Sequence, residues 1–238
     1  MAIVTDFSQL LFVVIVALLG IPVLGSAMIS VLVAHINGHL GTKLGENSLV
    51  IFSGLGTIVH ELSHAGMALL FGHKIDDMRL LQRPFVGDHA GRMGYVSHVW
   101  TPGNIYQQMG NFFIGIAPVF GISGAIALIT EWLWPALFDL VDLRWDVFLT
   151  EPWWRIVIWV LLTVNLGLGM HLSRADWRGA WTGVMLYISL LVILASVLAI
   201  MGVDYILISQ MLLVPIVLFF SIFIGTIGVL WLIVTVLF

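Results

Sequence analysis

The chain has 238 residues, of which 61% are hydrophobic and only 9% charged, with a mean hydropathy of +1.10 and a formal net charge of −4. That balance describes an integral membrane protein and excludes the basic stripe that neutralises nucleic-acid phosphates, so no nucleic-acid partner is expected. The absence of cysteine excludes a disulfide framework, a thiolate metal ligand and a cysteine nucleophile, and leaves nitrogen and oxygen as the only ligands for a metal.

In chain order, the first apolar run covers about 10–36. It is too long for a signal-peptide core, follows Asp6 without a basic residue and lacks a convincing small-residue cleavage site, so it reads as a retained membrane helix. Pro22 is expected to kink it, since proline removes one helical hydrogen bond. Further runs at 49–72, 107–133, 153–173, 182–203 and 208–237 suggest about six crossings, with a bend near Pro215 in the last. No stretch between them is long enough for a soluble domain. The expected fold is therefore an all-α polytopic membrane protein, one membrane domain over 1–238, with a core at about 49–179 and additional helices at 10–36, 182–203 and 208–237. Gly110, Gly115, Gly121 and Gly124 on the third run would let helix backbones approach closely.

The segment from Lys74 to Pro102 is not helical in pattern. Ile75–Gln82 and Met93–Trp100 are short mixed runs separated by Pro84, Gly87, Asp88, Gly91 and Arg92, which predicts a small membrane-associated β-hairpin after the second helix. A strand edge at bilayer depth must be covered or face a wet cavity, and such an edge could receive an extended peptide as an added strand. The competing reading is a plain cytoplasmic loop. The loop from Trp134 to Trp154 is expected along the membrane surface, with Trp134, Trp145, Trp153 and Trp154 as interfacial anchors. Lys74, Arg79, Arg83, Arg92, Arg174 and Arg178 fall on one side of the six crossings, and Lys43, Arg144 and Arg155 on the other. The positive-inside bias puts the first group, and with it both termini, in the cytoplasm.

The second run contains His60-Glu61-Leu62-Ser63-His64. Each ionisable side chain at bilayer depth costs roughly 2.5 to 3.5 kcal/mol on insertion scales, so these residues need a compensating role. Positions four apart share one helix face, so His60 and His64 can present imidazole nitrogens to one ion, and Glu61 stands where a general base for a metal-bound water is needed. In a soluble chain the same pentapeptide could be a solvated helix face; in an apolar span a bound cation offsets the burial.

A catalytic zinc takes three protein ligands and keeps a position for water. Glu131 and Glu151 fall toward the opposite side and look misplaced, which leaves Asp176. Asp176 follows Trp153 by about 23 residues, roughly 35 Å of ideal helix, too far for a straight upright fourth crossing. Either that helix tilts, or Gly167 and Gly169 mark an unwound stretch that keeps Asp176 at metal depth. An N-cap or an interfacial charge is the plain alternative for Asp176. His35, His39, His73, His89, His98 and His171 read as lone histidines, of which His171 is kept as a spare ligand or neighbouring group.

These residues resemble the site-2 protease family of intramembrane zinc metalloproteases. The likeness covers about 49–179 and rests on Val59-His-Glu-Leu-Ser-His-Ala65, the hairpin-like segment after it, and Asn165 followed by Asp176 and Gly179. The family pattern places a proline or glycine beside the aspartate, whereas here Trp177-Arg178-Gly179 follows it. The resemblance implies one Zn2+ held by His60, His64 and Asp176, Glu61 as activator of water, and a hairpin strand around Gly94, Tyr95 and Val96 that holds an unwound substrate segment. Asn165 or His171 is the candidate for stabilising the oxyanion. The implied activity is hydrolysis of a peptide bond in or near a transmembrane segment of a membrane-protein substrate within the lipid bilayer. Loops this short leave regulation to an external membrane partner or to prior trimming of the substrate.

Three other readings compete. A non-catalytic, zinc-stabilised scaffold could bind transmembrane segments, although ligation by two histidines does not require Glu61. Gly121-Ile-Ser123-Gly124 has the form of a rhomboid-type serine motif with His171 as base, but Ser123 and His171 fall toward opposite sides of the membrane. CAAX-type membrane metalloproteases need a glutamate as third ligand, and none is well placed.

Overall fold

A chain this apolar must satisfy its backbone hydrogen bonds internally, and helix is the local way to do so. The computed structural model describes residues 2–45, 47–82, 93–142 and 150–237. α1 (Ala2–Ile15) passes through a π turn at Val16–Gly20 into α2 (Ile21–Leu44), and α3 (Asn47–Leu70) follows. The hairpin strands β1 (Lys74–Arg79) and β2 (Tyr95–Val99) precede α4 (Ile105–Leu133) and a 3-10 turn at Pro135–Asp142. The chain ends in α5 (Trp153–Leu168), α6 (Arg174–Ile200), α7 (Tyr205–Ile208), a second π turn at Ser209–Leu213, and α8 (Val214–Leu237).

Among the described residues, four helical stretches are long and apolar enough to cross a membrane: Phe7–Leu44, Ile105–Leu133, Arg174–Ile200 and Tyr205–Val236. Two expected crossings are not among them. α3 carries the polar residues of the metal motif together with Ser53, Gly54 and Gly56, which dilute its hydropathy. α5 has 16 residues, about 24 Å of helix. The reason is a helix break inside the fourth apolar run: α5 stops at Leu168, and α6 starts at Arg174 instead of near 182.

At Pro22 the helix passes through a π turn without a break. Pro22 cannot donate to the Leu18 carbonyl, and the Ile21 amide bonds Val16 O. The hydroxyl of Tyr187 donates to Leu18 O at 3.0 Å, so the carbonyl freed by proline gains a partner from α6. The second π turn lies beside Pro215 in the same way.

Glycines set the helix crossings. A Cβ on Gly115 would lie 2.6 Å from Asp176 O and 2.7 Å from the Ala180 Cβ, one on Gly110 would meet Phe71, and one on Gly121 would meet Ser63. The expected close approaches on α4 hold at these three positions; Gly124, by contrast, faces open space and packs nothing. α3 and α5 cross backbone to backbone where Gly56 meets Gly169, with 2.8 Å between a Cβ built on Gly56 and Gly169 N. The core gathers around α4, where the Phe112 ring stacks on Tyr187 at 4.2 Å and Ile122, Leu166, Leu168 and Met170 are fully buried.

β1 and β2 pair antiparallel with Lys74 opposite Val99, Ile75 opposite His98 and Arg79 opposite Tyr95, and the register slips between Ile75 and Asp77. The hairpin is thus as expected, while its turn, with Pro84, Gly87, Asp88, Gly91 and Arg92, lies outside the described residues. His89 and Trp145 also lie outside them. Trp153 and Trp154 are exposed as interfacial anchors would be. Trp134 is not: it is 6% exposed and packs edge-on against Trp159 at 5.1 Å, because the chain folds back at Pro135 and buries the indole beneath α5.

Candidate metal centre

His60, Glu61 and His64 are buried on one face of α3. His60 Nδ1–H donates to Gly169 O at 2.9 Å and His64 Nδ1–H donates to Ile114 O at 2.7 Å. A carbonyl can only accept, so both hydrogen bonds leave the lone pairs on the Nε2 atoms, which face each other at 3.1 Å. Asp176 closes the group, with Oδ1 3.2 Å from His64 Nε2 and Oδ2 3.7 Å from His60 Nε2. Three electron-rich acceptors in a buried site repel one another unless a cation stands between them. One ligand atom from each residue lies within 4.8 Å of the others, so the group could hold a metal ion, and its two imidazoles and one carboxylate fit a divalent cation of the zinc type.

Local sequence explains how Asp176 gets there. α5 ends at Leu168 with Gly169 as its C-cap, the backbone of Met170–Ser173 leaves the helix, and Ser173 and Asp176 form a capping box at the start of α6. Asp176 N–H donates to Ser173 Oγ at 3.2 Å, and Ser173 N–H donates to Asp176 Oδ2 at 2.6 Å. The anticipated unwound stretch thus begins at Gly169, whereas Gly167 remains helical. Asp176 sits in the first turn of the next helix, where the helix dipole favours a carboxylate, and it serves both as a cap and as a member of the cluster. The spare candidate, His171, is not one of the three clustered groups; its ring centre stands 6.0 Å from that of His60.

Glu61 lies under the hairpin. A Cβ on Gly94 would come 2.7 Å from Glu61 Cγ and 2.9 Å from Oε1, so only glycine lets the strand close over this carboxylate. A cavity of about 560 Å³ joins Glu61 and the cluster to Met93, Gly94, Tyr95, Val96, Ser97 and His98. Gly94, Tyr95 and Val96 therefore stand where the sequence reading put them, beside the metal group.

Asn165 does not. Its Oδ1 accepts from the amides of Leu55 at 2.9 Å and Gly56 at 3.2 Å, and its Nδ2 donates to Ile51 O at 2.7 Å. The carboxamide splints α3 to α5 and is outside the cavity lining, so an oxyanion role for it is withdrawn. Ser123 donates to Val119 O within its own helix and does not line the cavity with His171, which removes the serine-dyad geometry. Glu131 is exposed on α4, and Glu151 pairs with Arg155 at 2.5 Å.

Sequence reading missed several groups. Asn37 and Asn111 line the cavity, and Asn37 Oδ1, Asn111 Nδ2 and His171 Nδ1 are buried there without a hydrogen-bond partner in the protein. His73 and His98 are not lone histidines either. His73 Nε2–H donates to Gln107 O at 2.8 Å, so its Nδ1 accepts from His98 Nδ1–H at 2.9 Å, which ties β2 to the end of α3 and to α4. Burial, with His73 beside it, pushes the His98 pKa down to about 4, so His98 is uncharged at neutral pH. The hairpin register would have hinted at the pair, since both residues flank its open end.

Comparison with family models, with curated proteins and with solved structures finds no match to this chain.

Proposed function

We propose that the chain is an intramembrane zinc metalloprotease, similar to the site-2 protease family, that hydrolyses a peptide bond in or near a transmembrane segment of another membrane protein. The observation that carries this reading is the convergence of two Nε2 lone pairs, the Asp176 carboxylate and Glu61 in one cavity beside a strand. α3 and α5 are read as two further crossings beside the four long apolar helices, which makes six and leaves both termini on the side of Lys74, Arg79, Arg174 and Arg178, the cytoplasm.

His60, His64 and Asp176 would hold the zinc. When bound, zinc supplies a Lewis acid for the scissile carbonyl and lowers the pKa of water to about 7. Glu61 takes the proton of the attacking water at a carboxylate oxygen and passes it to the leaving amine nitrogen. The missing side chain of Gly94 lets the hairpin pass directly over Glu61. A helical substrate must unwind before its peptide bond can be attacked, and β2, which among the described residues pairs only with β1, offers main-chain partners to the unwound segment.

The test is cleavage in liposomes of single-span reporter proteins whose apolar segments contain helix-breaking residues. The expected result is cutting inside or beside the span that stops on chelation with phenanthroline and returns with added zinc. Cleavage that persists after the metal has been stripped contradicts the proposal.

A further inference from the structure

We infer that Pro118 is a positioning residue for His64. The inference deepens the metalloprotease reading and rests on it only for the identity of the ion. In an uninterrupted helix the carbonyl of residue 114 accepts the amide of residue 118. Residue 118 is a proline, fully buried in the middle of α4, and it has no N–H to donate. The Ile114 carbonyl therefore lacks its regular helical donor, and the Nδ1–H of His64 supplies one from α3 at 2.7 Å.

That bond decides what His64 can do. With the proton held on Nδ1, the lone pair stays on Nε2, facing His60 Nε2 and Asp176 Oδ1. An amide at position 118 would compete for Ile114 O and draw that carbonyl back along its own helix axis. The bond that fixes the ring and tautomer of His64 would then be weakened, and a proton on Nε2 blocks ligation.

Two other contacts follow the same logic. Pro22 frees the Leu18 carbonyl, which accepts from Tyr187. Gly169 O, the acceptor for His60, is spare because α5 has ended and the Ser173 amide, four residues on, is engaged by Asp176 Oδ2. Both clustered imidazoles are thus aimed by main-chain carbonyls that the sequence has withdrawn from helical bonding, one by a proline and one by a helix break.

The experiment compares Pro118→Ala with an ester variant carrying lactic acid in place of Pro118, in the full-length protein in detergent. The two replacements have the same side chain and differ in the N–H and in the weaker acceptor strength of the Ala117 ester carbonyl. Zinc dissociation constants are measured by chelator competition, and the His64 tautomer by 15N imidazole NMR on metal-free protein. Pro118→Ala is expected to weaken zinc binding about tenfold and to mix the His64 tautomers, while the ester variant keeps wild-type affinity and Nδ1 protonation. Equal zinc affinity in the two variants, or an unchanged His64 tautomer in Pro118→Ala, overturns the inference. If the wild type binds no zinc, the metalloprotease reading fails, and the tautomer comparison still decides the role of Pro118.

Discussion

Glu61→Gln is expected to keep one zinc per chain while slowing cleavage by about a thousandfold, within the range attributed to a positioned general base. The two side chains have nearly the same shape, so the packing under Gly94 survives; the carboxamide has no basic oxygen to take the water proton. Glu61 is only 6% exposed beside His60 and His64, and a carboxylate buried in an apolar span is costly without a compensating role. The variant should also hold an uncut reporter long enough for cross-linking through β2. Turnover at the wild-type rate would end the proposed role of Glu61, and loss of zinc together with activity would make it part of the metal site instead.

The second large effect concerns Asp176, which does two jobs through two oxygens. Oδ2 caps α6 by accepting from Ser173, and Oδ1 lies closest to His64 Nε2. Ser173→Ala removes its hydroxyl from the cap and is expected to cost roughly 1 kcal/mol of stability with zinc retained. Asp176→Asn keeps an acceptor for the cap and removes the negative charge, so zinc affinity should fall by two orders of magnitude or so while the metal-free Tm stays near wild type. Asp176→Ala should lose both. Thermal melts of metal-free protein, set beside zinc titrations of all three variants, separate the roles. Wild-type zinc affinity in Asp176→Asn would remove Asp176 from the ligand set.

How much of this was legible depends on whether the relevant signal is local. The spacing of His60 and His64 fixes their common face without any knowledge of the fold, and the turn residues between Gln82 and Met93 foretell a hairpin. The fourth apolar run was misread because hydropathy does not register a helix stop. The capping box Ser173-x-x-Asp176 did mark a helix start and resolves the distance problem for Asp176. Asn165 was assigned by resemblance, yet its three bonds to α3 are a matter of which backbone groups lie opposite it, and no pattern encodes that. Pro118 lies between these cases. The rule that proline frees the carbonyl four residues back could be applied to the sequence alone, but the donor that takes Ile114 O is 50 positions away. The loneliness assigned to His73 and His98 failed for the same reason, since their contact needs the strand register.

The most direct measurement is the zinc content of gently purified wild-type protein by elemental analysis, beside His60→Ala, Asp176→Ala and His171→Ala. The account predicts about one zinc per chain in the wild type and in His171→Ala, as expected for a three-ligand site, and little in the other two. Absence of metal from the wild type, or zinc kept by Asp176→Ala and lost from His171→Ala, would contradict it.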